Sequence, residues 1–261
     1  LLSVEITDTV TTIAGEAFLQ NSLTHLDIPD SVTSLSGTAF NNNSLGDEDA
    51  FIYARKSGGG EDRTTVIGYG GANKDNVIVP DGFLTIGTQA FYSCGISKIT
   101  LPDGLTTIGN NAFNANNLTE LAIPDTVTSI GNGAINSNNF PEETAYLFAR
   151  KSDGSIDETT LVSYGGKSSK IVTIPSTVKT IKSNSVERLS YADTIIIPEG
   201  VEVIENNAFR KGNYYNPSLT TIVNQTGRSF DWGQIINGTS GYSFVTGTVI
   251  NSYGNVEVVS Q

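Results

Sequence analysis

A phrase of about 22 residues recurs along this chain, and it restricts the fold more than any other feature. Each copy has an apolar, strand-like stretch, then a proline, a β-branched stretch and a Gly-x-x-Ala-Phe segment. A unit this short cannot bury an apolar face alone, so the copies must stack into a solenoid with one continuous core. The period is read from Thr7, which takes the proline slot in the first copy, and then from Pro29, Pro80, Pro102, Pro124, Pro175 and Pro198.

The pattern inside one unit predicts short strands joined by tight turns. In "LTELAIPDTVTSIGNGAI" the residues Leu118, Leu121 and Ile123 follow strand periodicity, so we expect them to point into the core. Pro124 ends the strand because proline cannot donate to a β-ladder. The Gly-x-x-Ala-Phe segment has room for one turn of 3₁₀ or α-helix. The predicted class is therefore α/β and β-rich, a solenoid with coils of about 22 residues.

Two units are longer than the rest, and their extra segments are copies of each other. "FIYARKSGGGEDRTTVIGYGG" begins at residue 51 and "YLFARKSDGSIDETTLVSYGG" at residue 146, so a block of 95 residues is duplicated in tandem. The elongated segments, 45–76 and 140–171, read as strand, Gly-rich turn and strand. Each is either a hairpin inserted into the solenoid or an elongated coil. In the elongated coil, which we favour, "FIYAR" replaces "LTELAI" and "TTLVSYGG" replaces the "VTSIG" stretch.

The repeated phrases "IPDSVTSLSGTAF", "LPDGLTTIGNNAF", "IPDTVTSIGNGAI" and "IPEGVEVIENNAF" resemble the BspA-like class of leucine-rich repeats, found in bacterial surface proteins. The resemblance covers roughly residues 1–223 and implies a leucine-rich-repeat solenoid. Residues 224–261 lack the phrase, and we expect them to form a C-terminal cap over the last coil. The resemblance also implies that the slot of Asn116 points inward, so Cys94, which takes that slot in its own coil, should be a core residue.

Composition and charge exclude several classes of partner. The net charge is −12, and no Lys/Arg cluster exceeds a dipeptide, so the chain lacks the cationic stripe that nucleic acid requires. No run of eighteen apolar residues is present, so we predict no membrane insertion. The chain opens inside a repeat, and we interpret it as a fragment of a longer exported protein.

The search for catalytic chemistry finds no convincing constellation. His25 is the sole histidine and Cys94 the sole cysteine, which are too few for a zinc site. His25 points outward by strand alternation, away from any nucleophile at motif spacing. Most acidic residues follow prolines or flank turns, where they cap backbone N–H groups. We therefore predict a protein without enzymatic activity, metal or cofactor.

The function that we predict is binding of a protein partner through the repeat surface. The resemblance implies an extracellular or cell-surface location and a partner on a host, in matrix or on a neighbouring cell. The alternative is a module that targets a larger exported enzyme to substrate or cell wall. The candidate binding residues lie on the outward positions of the strands and on an enlarged loop with adjacent tyrosines: Ile78, Lys98, Glu120, Ile196, Tyr214 and Tyr215. The alternative role of the two tyrosines is to pack against the C-terminal cap.

Overall fold

A computed structural model describes residues 1–166, 169–189, 192–211, 216–238, 243–244, 246–249 and 255–260. The chain divides into two compact units. The first comprises Leu1–Ala134 with Ser152–Ser155, and the second comprises Ile135–Lys151 with Ile156–Gln261. The class is as the repeat predicts, a β-rich leucine-rich-repeat solenoid with short strands and little helix.

The strands of the first unit are mostly two residues long, and a 3₁₀ turn at Gly37–Phe40 follows the second of them. In chain order they are β1 (Thr12–Ile13), β2 (Ser34–Leu35), β3 (Phe51–Arg55), β4 (Glu61–Tyr69), β5 (Val77–Ile78), β6 (Thr85–Ile86), β7 (Ile99–Thr100), β8 (Thr107–Ile108) and β9 (Ser129–Ile130).

Coils of the first unit stack through parallel strands. Most of the β-branched stretches form one sheet, in which β4, β6, β8 and β9 pair in parallel and β3 lies antiparallel at its edge. The stretches that follow Thr7 and Pro29 pair separately, as β1 with β2, and the stretches before two prolines pair as β5 with β7. Repetition of the phrase thus places equivalent residues side by side, such as Thr85 beside Thr107.

The first elongated segment is a hairpin whose second strand belongs to the solenoid. Strand β4 pairs in parallel with β6, which confirms that "TTVIGY" replaces the "VTSIG" stretch. Replacement of the "LTELAI" strand by "FIYAR" is wrong, because β3 pairs antiparallel with β4, with two register shifts. The sharp turn closed by Lys56 N–H to Gly60 C=O, 3.0 Å, brings β3 back along β4.

The core of the first unit follows the predicted pattern. Leu118 is fully buried, whereas Leu121 and Ile123 are only half-buried. Asn116 occupies the predicted inward slot, where its Oδ1 accepts from Ile96 N–H at 3.0 Å and its Nδ2 donates to Phe91 C=O at 2.7 Å. Such side chains satisfy buried backbone groups where the coil bends.

The second unit repeats this arrangement after a 3₁₀ turn at Glu142–Thr144. Its elements are β10 (Tyr146–Arg150), β11 (Ile156–Tyr164), β12 (Ile171–Thr173), β13 (Thr180–Ile181), β14 (Thr194–Ile197), β15 (Val203–Ile204), β16 (Thr221–Asn224), β17 (Phe230–Asp231), helix α1 (Trp232–Asn237), β18 (Ser243–Phe244), β19 (Gly247–Val249) and β20 (Val256–Ser260).

The second unit contains a four-stranded sheet and a five-stranded sheet. Strands β10, β11, β13 and β15 form a sheet led by the second hairpin, β10 with β11. Strands β12, β14, β16, β20 and β19 form the other, and β20 lies parallel to β16. Val223 is 6% exposed, because Ile196 and Val259 flank it in the neighbouring strands.

The segment after residue 223 packs against the solenoid. Trp232 is fully buried, and its ring meets that of Phe230 edge-to-face at 5.4 Å. Asp231 caps α1 by accepting from Gln234 N–H at 3.2 Å. The predicted boundary between solenoid and cap at 223/224 stays a prediction. In the described ranges of the chain, no helix is long and apolar enough to cross a membrane.

Candidate functional site

The structure places three of the predicted binding residues on the open strand face of the first unit. Ile78 in β5 is 62% exposed and pairs with Thr100 in β7. Lys98, just before β7, and Glu120 in the next coil are both exposed, and their Nζ and Oε1 atoms lie 3.8 Å apart. The face therefore combines an exposed aliphatic side chain with a weak surface ion pair.

The other three predicted residues lie elsewhere. Ile196 belongs to β14 in the second unit, where its side chain is half-buried. Tyr214 and Tyr215 fall outside the described residues, so their role stays a prediction.

A groove that sequence reasoning missed lies beside the first hairpin. It has a volume of about 420 Å³, within the usual range of ligand pockets. We call it the hairpin groove. One wall is the strand-like segment 25–28, and the other is formed by β3, the start of β4 and the acidic turn that precedes β3. Its lining residues are His25, Leu26, Asp27, Ile28, Glu48, Asp49, Phe51, Ile52, Tyr53, Arg55, Glu61 and Arg63.

Stacked rings give the hairpin wall a fixed shape. The ring of Tyr53 stacks on Phe83 with centroids 5.4 Å apart and an angle of 19° between the planes. The Arg63 guanidinium carbon lies 5.1 Å from the centroid of the Tyr53 ring, in cation–π range. Arg63 Nη2 also lies 2.7 Å from Glu61 Oε2. Contacts with Phe83 and Arg63 thus hold the Tyr53 ring in place as part of the wall.

Arg55 fixes the hairpin to the coil before it. Its side chain is only 2% exposed. The Nε atom donates to Val32 C=O at 2.9 Å, and Nη2 donates to Pro29 C=O at 2.8 Å. Asp30 adds a carboxylate oxygen 3.5 Å from Nη2. A buried guanidinium with charge-assisted bonds to two carbonyls is a strong anchor.

The tip of the hairpin lies against the same turn. Gly59 has a φ of 90° and packs so closely that a Cβ atom at this position would overlap the Asp30 carbonyl oxygen. Nearby, the Thr64 hydroxyl donates to Asp62 Oδ1 at 2.7 Å, and this bond holds the pKa of Asp62 below its ordinary value. The tip is therefore an ordered part of the rim.

His25 and Asp49 form the opposite corner of the hairpin groove. His25 Nδ1 lies 2.5 Å from Asp49 Oδ2, and the same oxygen accepts from Leu26 N–H at 3.0 Å. The His25 side chain is 78% exposed, as its predicted outward orientation requires. Across the described part of the chain, no group of three or more His, Cys, Asp or Glu side chains is placed to hold a metal ion.

Cys94 lies in the core, as its repeat slot predicts. It is a free cysteine, 1% exposed, and its Sγ donates weakly to Tyr69 C=O at 3.5 Å. Burial raises the pKa of the thiol to about 12, so the nucleophilic thiolate is not populated at neutral pH.

Glu187 is a buried acid in the second unit, at the repeat position that Asn136 takes in an earlier coil. Its side chain is 6% exposed, and Oε2 has no hydrogen-bond partner among the described residues. Burial raises the pKa of Glu187 to about 7, although the positive charges of Arg188 and Arg210 oppose the shift. The folded state therefore favours the protonated acid.

Solved structures similar to this chain include bacterial leucine-rich-repeat proteins. A leucine rich cell surface protein from Faecalibacterium prausnitzii is 21% identical with a TM-score of 0.45, over 82% of this chain and 64% of that one. The pneumococcal vaccine antigen PcpA is 21% identical with a TM-score of 0.43, over 87% and 62%. A leucine-rich repeat protein from Eubacterium ventriosum is 20% identical with a TM-score of 0.39, over 84% and 46%. The chain spans less than two thirds of the length of each.

The family comparison is more direct. No curated protein matches the chain. The model of the BspA type leucine rich repeat region matches it in six copies, over residues 1–48, 69–146 and 161–230. The two unmatched intervals inside this range, 49–68 and 147–160, coincide with most of the two hairpins. Since the matched residues make up well over half of its length, the chain belongs to the BspA type leucine-rich-repeat family.

Proposed function

We propose that this chain is a protein-binding module of a bacterial surface or secreted protein and recognises its partner through the repeat surface. The observation that carries the proposal is the open strand face of the first unit. There Ile78, 62% exposed, lies on a strand next to the pair formed by Lys98 and Glu120. Membership of the BspA type family supports a binding role, because stacked repeats offer a broad surface to a macromolecule.

The partner is a protein outside the bacterial cell, on a host, in matrix or on a neighbouring cell. Exposed aliphatic residues flanked by charges suit a protein interface, in which an apolar centre is surrounded by a polar rim. The net charge of −12 disfavours nucleic acid and anionic membrane surfaces as alternatives. No catalytic step is needed for this function.

The test is binding of the purified chain to a panel of purified extracellular-matrix and cell-envelope proteins, measured by biolayer interferometry. Ile78→Asp should weaken binding to a partner at least tenfold, because it places a charge in the apolar centre. The double variant Tyr214→Ala/Tyr215→Ala should do the same if the enlarged loop contributes. A matched control is Ile171→Asp, an exposed isoleucine in the second unit. Unchanged affinity for Ile78→Asp, with an unchanged melting temperature, contradicts the role of this face.

A further inference from the structure

The hairpin groove lies where the stack of coils lacks a strand. Elsewhere in the first unit, adjacent coils are joined by backbone hydrogen bonds, such as Val77 N–H to Lys98 C=O at 2.9 Å and Val79 N–H to Thr100 C=O at 3.0 Å. Within the described ranges, no backbone–backbone hydrogen bond joins segment 25–28 to β3. The next strand-like segment, β3, pairs with β4 in the hairpin instead of with segment 25–28.

The backbone of β3 lies at the edge of its sheet and lines the hairpin groove. Among the described residues, its ladder partner is β4 alone. Ala50 C=O accepts from Gly70 N–H at 2.9 Å and Lys56 N–H donates to Gly60 C=O at 3.0 Å, so the even-numbered backbone groups between them face β4. Backbone groups alternate along a strand, which turns those of Phe51, Tyr53 and Arg55 to the other edge. An unpaired edge is a template for another strand.

A side chain already substitutes for the missing strand on the opposite wall. Leu26 N–H, which would face the next coil, donates to the Asp49 carboxylate at 3.0 Å. No such bond reaches the N–H groups of Asp27 and Ile28 within the described residues. Both walls therefore offer backbone donors and acceptors to a segment that enters between them.

The charge of the hairpin groove restricts the side chains of that segment. Its lining has four carboxylates, of Asp27, Glu48, Asp49 and Glu61, against the guanidinium groups of Arg55 and Arg63. The Arg55 guanidinium already donates hydrogen bonds to two carbonyl groups. The Arg63 guanidinium already pairs with Glu61 and contacts the Tyr53 ring. Asp27 and Glu48 are exposed and have no ion-pair partner among the described residues. The free charge is negative.

We propose that the hairpin groove binds an extended, basic segment of a protein partner, which adds as a β-strand between segment 25–28 and β3. This inference rests on the proposed binding function and specifies the partner's chemistry. Backbone pairing with the free edges supplies affinity independent of sequence, and cationic side chains at alternate positions reach Asp27 and Glu48. The aromatic wall at Tyr53 covers the aliphatic stems of those side chains.

The test uses fluorescence anisotropy of labelled seven-residue peptides with the full chain. The probe alternates Arg and Thr, and the reference alternates Glu and Thr. A third peptide is the Arg–Thr probe with N-methyl groups on alternate residues, which removes backbone donors while keeping the charge. We expect the Arg–Thr probe to bind, the Glu–Thr peptide not to bind, and the N-methylated probe to lose at least tenfold in affinity.

Variants of the chain separate strand addition from simple charge attraction. Asp27→Asn/Glu48→Gln should weaken binding of the Arg–Thr probe at least tenfold. A charge-matched control, Glu143→Gln/Glu158→Gln, changes one acid in the 3₁₀ turn before the second hairpin and one in β11, and should leave binding of the probe unchanged. If the N-methylated probe binds with the same affinity as the Arg–Thr probe, strand addition is contradicted. If both double variants lose the same affinity for the Arg–Thr probe, the hairpin groove is not the binding site.

The outcome is separable from that of the proposed function. If no peptide binds at 1 mM while Ile78→Asp still abolishes binding to a protein partner, this inference falls and the proposed function stands. If the Arg–Thr probe binds and loses affinity in Asp27→Asn/Glu48→Gln, the hairpin groove is a site whether or not the open strand face is one.

Discussion

Gly59→Ala tests whether the hairpin tip is held in place by its close approach to the coil before it. The φ of 90° at Gly59 lies in the left-handed region, where a residue with a Cβ atom costs about 1–2 kcal/mol. The new methyl group would also overlap the Asp30 carbonyl oxygen and come within 3.1 Å of its carbon, and both atoms are backbone. Such overpacking adds about 1–3 kcal/mol.

A smaller term opposes these costs. Replacing Gly by Ala restricts the unfolded chain and stabilises the folded state by about 0.4–1 kcal/mol. The net expectation is a loss of about 1–5 kcal/mol in the free energy of unfolding. The loss cannot exceed the free energy that holds the tip down, because the tip can detach locally instead of straining the whole fold.

Gly58→Ala is the matched control. The adjacent position has no heavy atom within 4 Å of a built Cβ and no positive φ, so only the unfolded-state term remains. Thermal unfolding should place Gly59→Ala about 4–20 °C below Gly58→Ala, on the scale for a chain of this size. Hydrogen exchange across residues 56–62 should accelerate in Gly59→Ala alone. Identical melting and identical exchange in the two variants would refute a packed tip.

Two further predictions concern buried charges. Arg55→Met should lower the free energy of unfolding by about 2–3 kcal/mol in urea titrations, because the carbonyls of Pro29 and Val32 lose their donors; Arg63→Met, at a position 74% exposed, should change it by less than about 1 kcal/mol. For Glu187 the pKa of about 7 in the folded state exceeds its ordinary value of 4.5, so ionisation destabilises the fold progressively as pH rises from 4.5 through 7. The free energy of unfolding of Glu187→Gln should therefore exceed that of the parent chain by up to about 3 kcal/mol at pH 8.5, and the difference should disappear at pH 4.5. A difference that does not depend on pH would contradict titration of Glu187.

The solenoid could be predicted from the sequence because the same pattern of apolar and polar residues recurs from coil to coil. Leu118, Asn116 and Cys94 occupy the same slot types in several coils, so a single rule of alternation assigns them to the interior. The strand "TTVIGY" was found in the same way, since its β-branched residues match those of "VTSIG". Which residues form the buried apolar core follows from their position in the repeat, and the repeat can be recognised in a single sequence.

The hairpin groove could not be predicted, because its supports are main-chain atoms. Arg55 follows an alternating strand and reads as a solvated charge. Its actual partners are the carbonyls of Val32 and Pro29, 23 and 26 residues earlier, and a carbonyl leaves no signal in the sequence. Gly59 likewise reads as an ordinary turn glycine, and its contact with Asp30 depends on how the turn folds back. The pairing of β20 with β16 could not be predicted for a related reason, since β20 does not carry the repeat phrase.

The two copies of the 95-residue block separate what holds a hairpin from what the hairpin presents. The supporting residues recur in the second copy: Arg150 takes the position of Arg55 in the sequence, Gly154 has a φ of 83°, and a Cβ atom there would overlap the carbonyl oxygen of Asp125.

The lining of the hairpin groove differs at the matching positions. Tyr53, Glu61 and Arg63 in the first copy correspond to Phe148, Ile156 and Glu158 in the second, so the order of charges along the strand is not kept. Ile156 is 51% exposed where Glu61 is half-buried by its bond to Arg63. One scaffold thus carries two different surfaces. The basic segment proposed for the first hairpin would meet an exposed isoleucine at the second, which confines that recognition to residues 25–63.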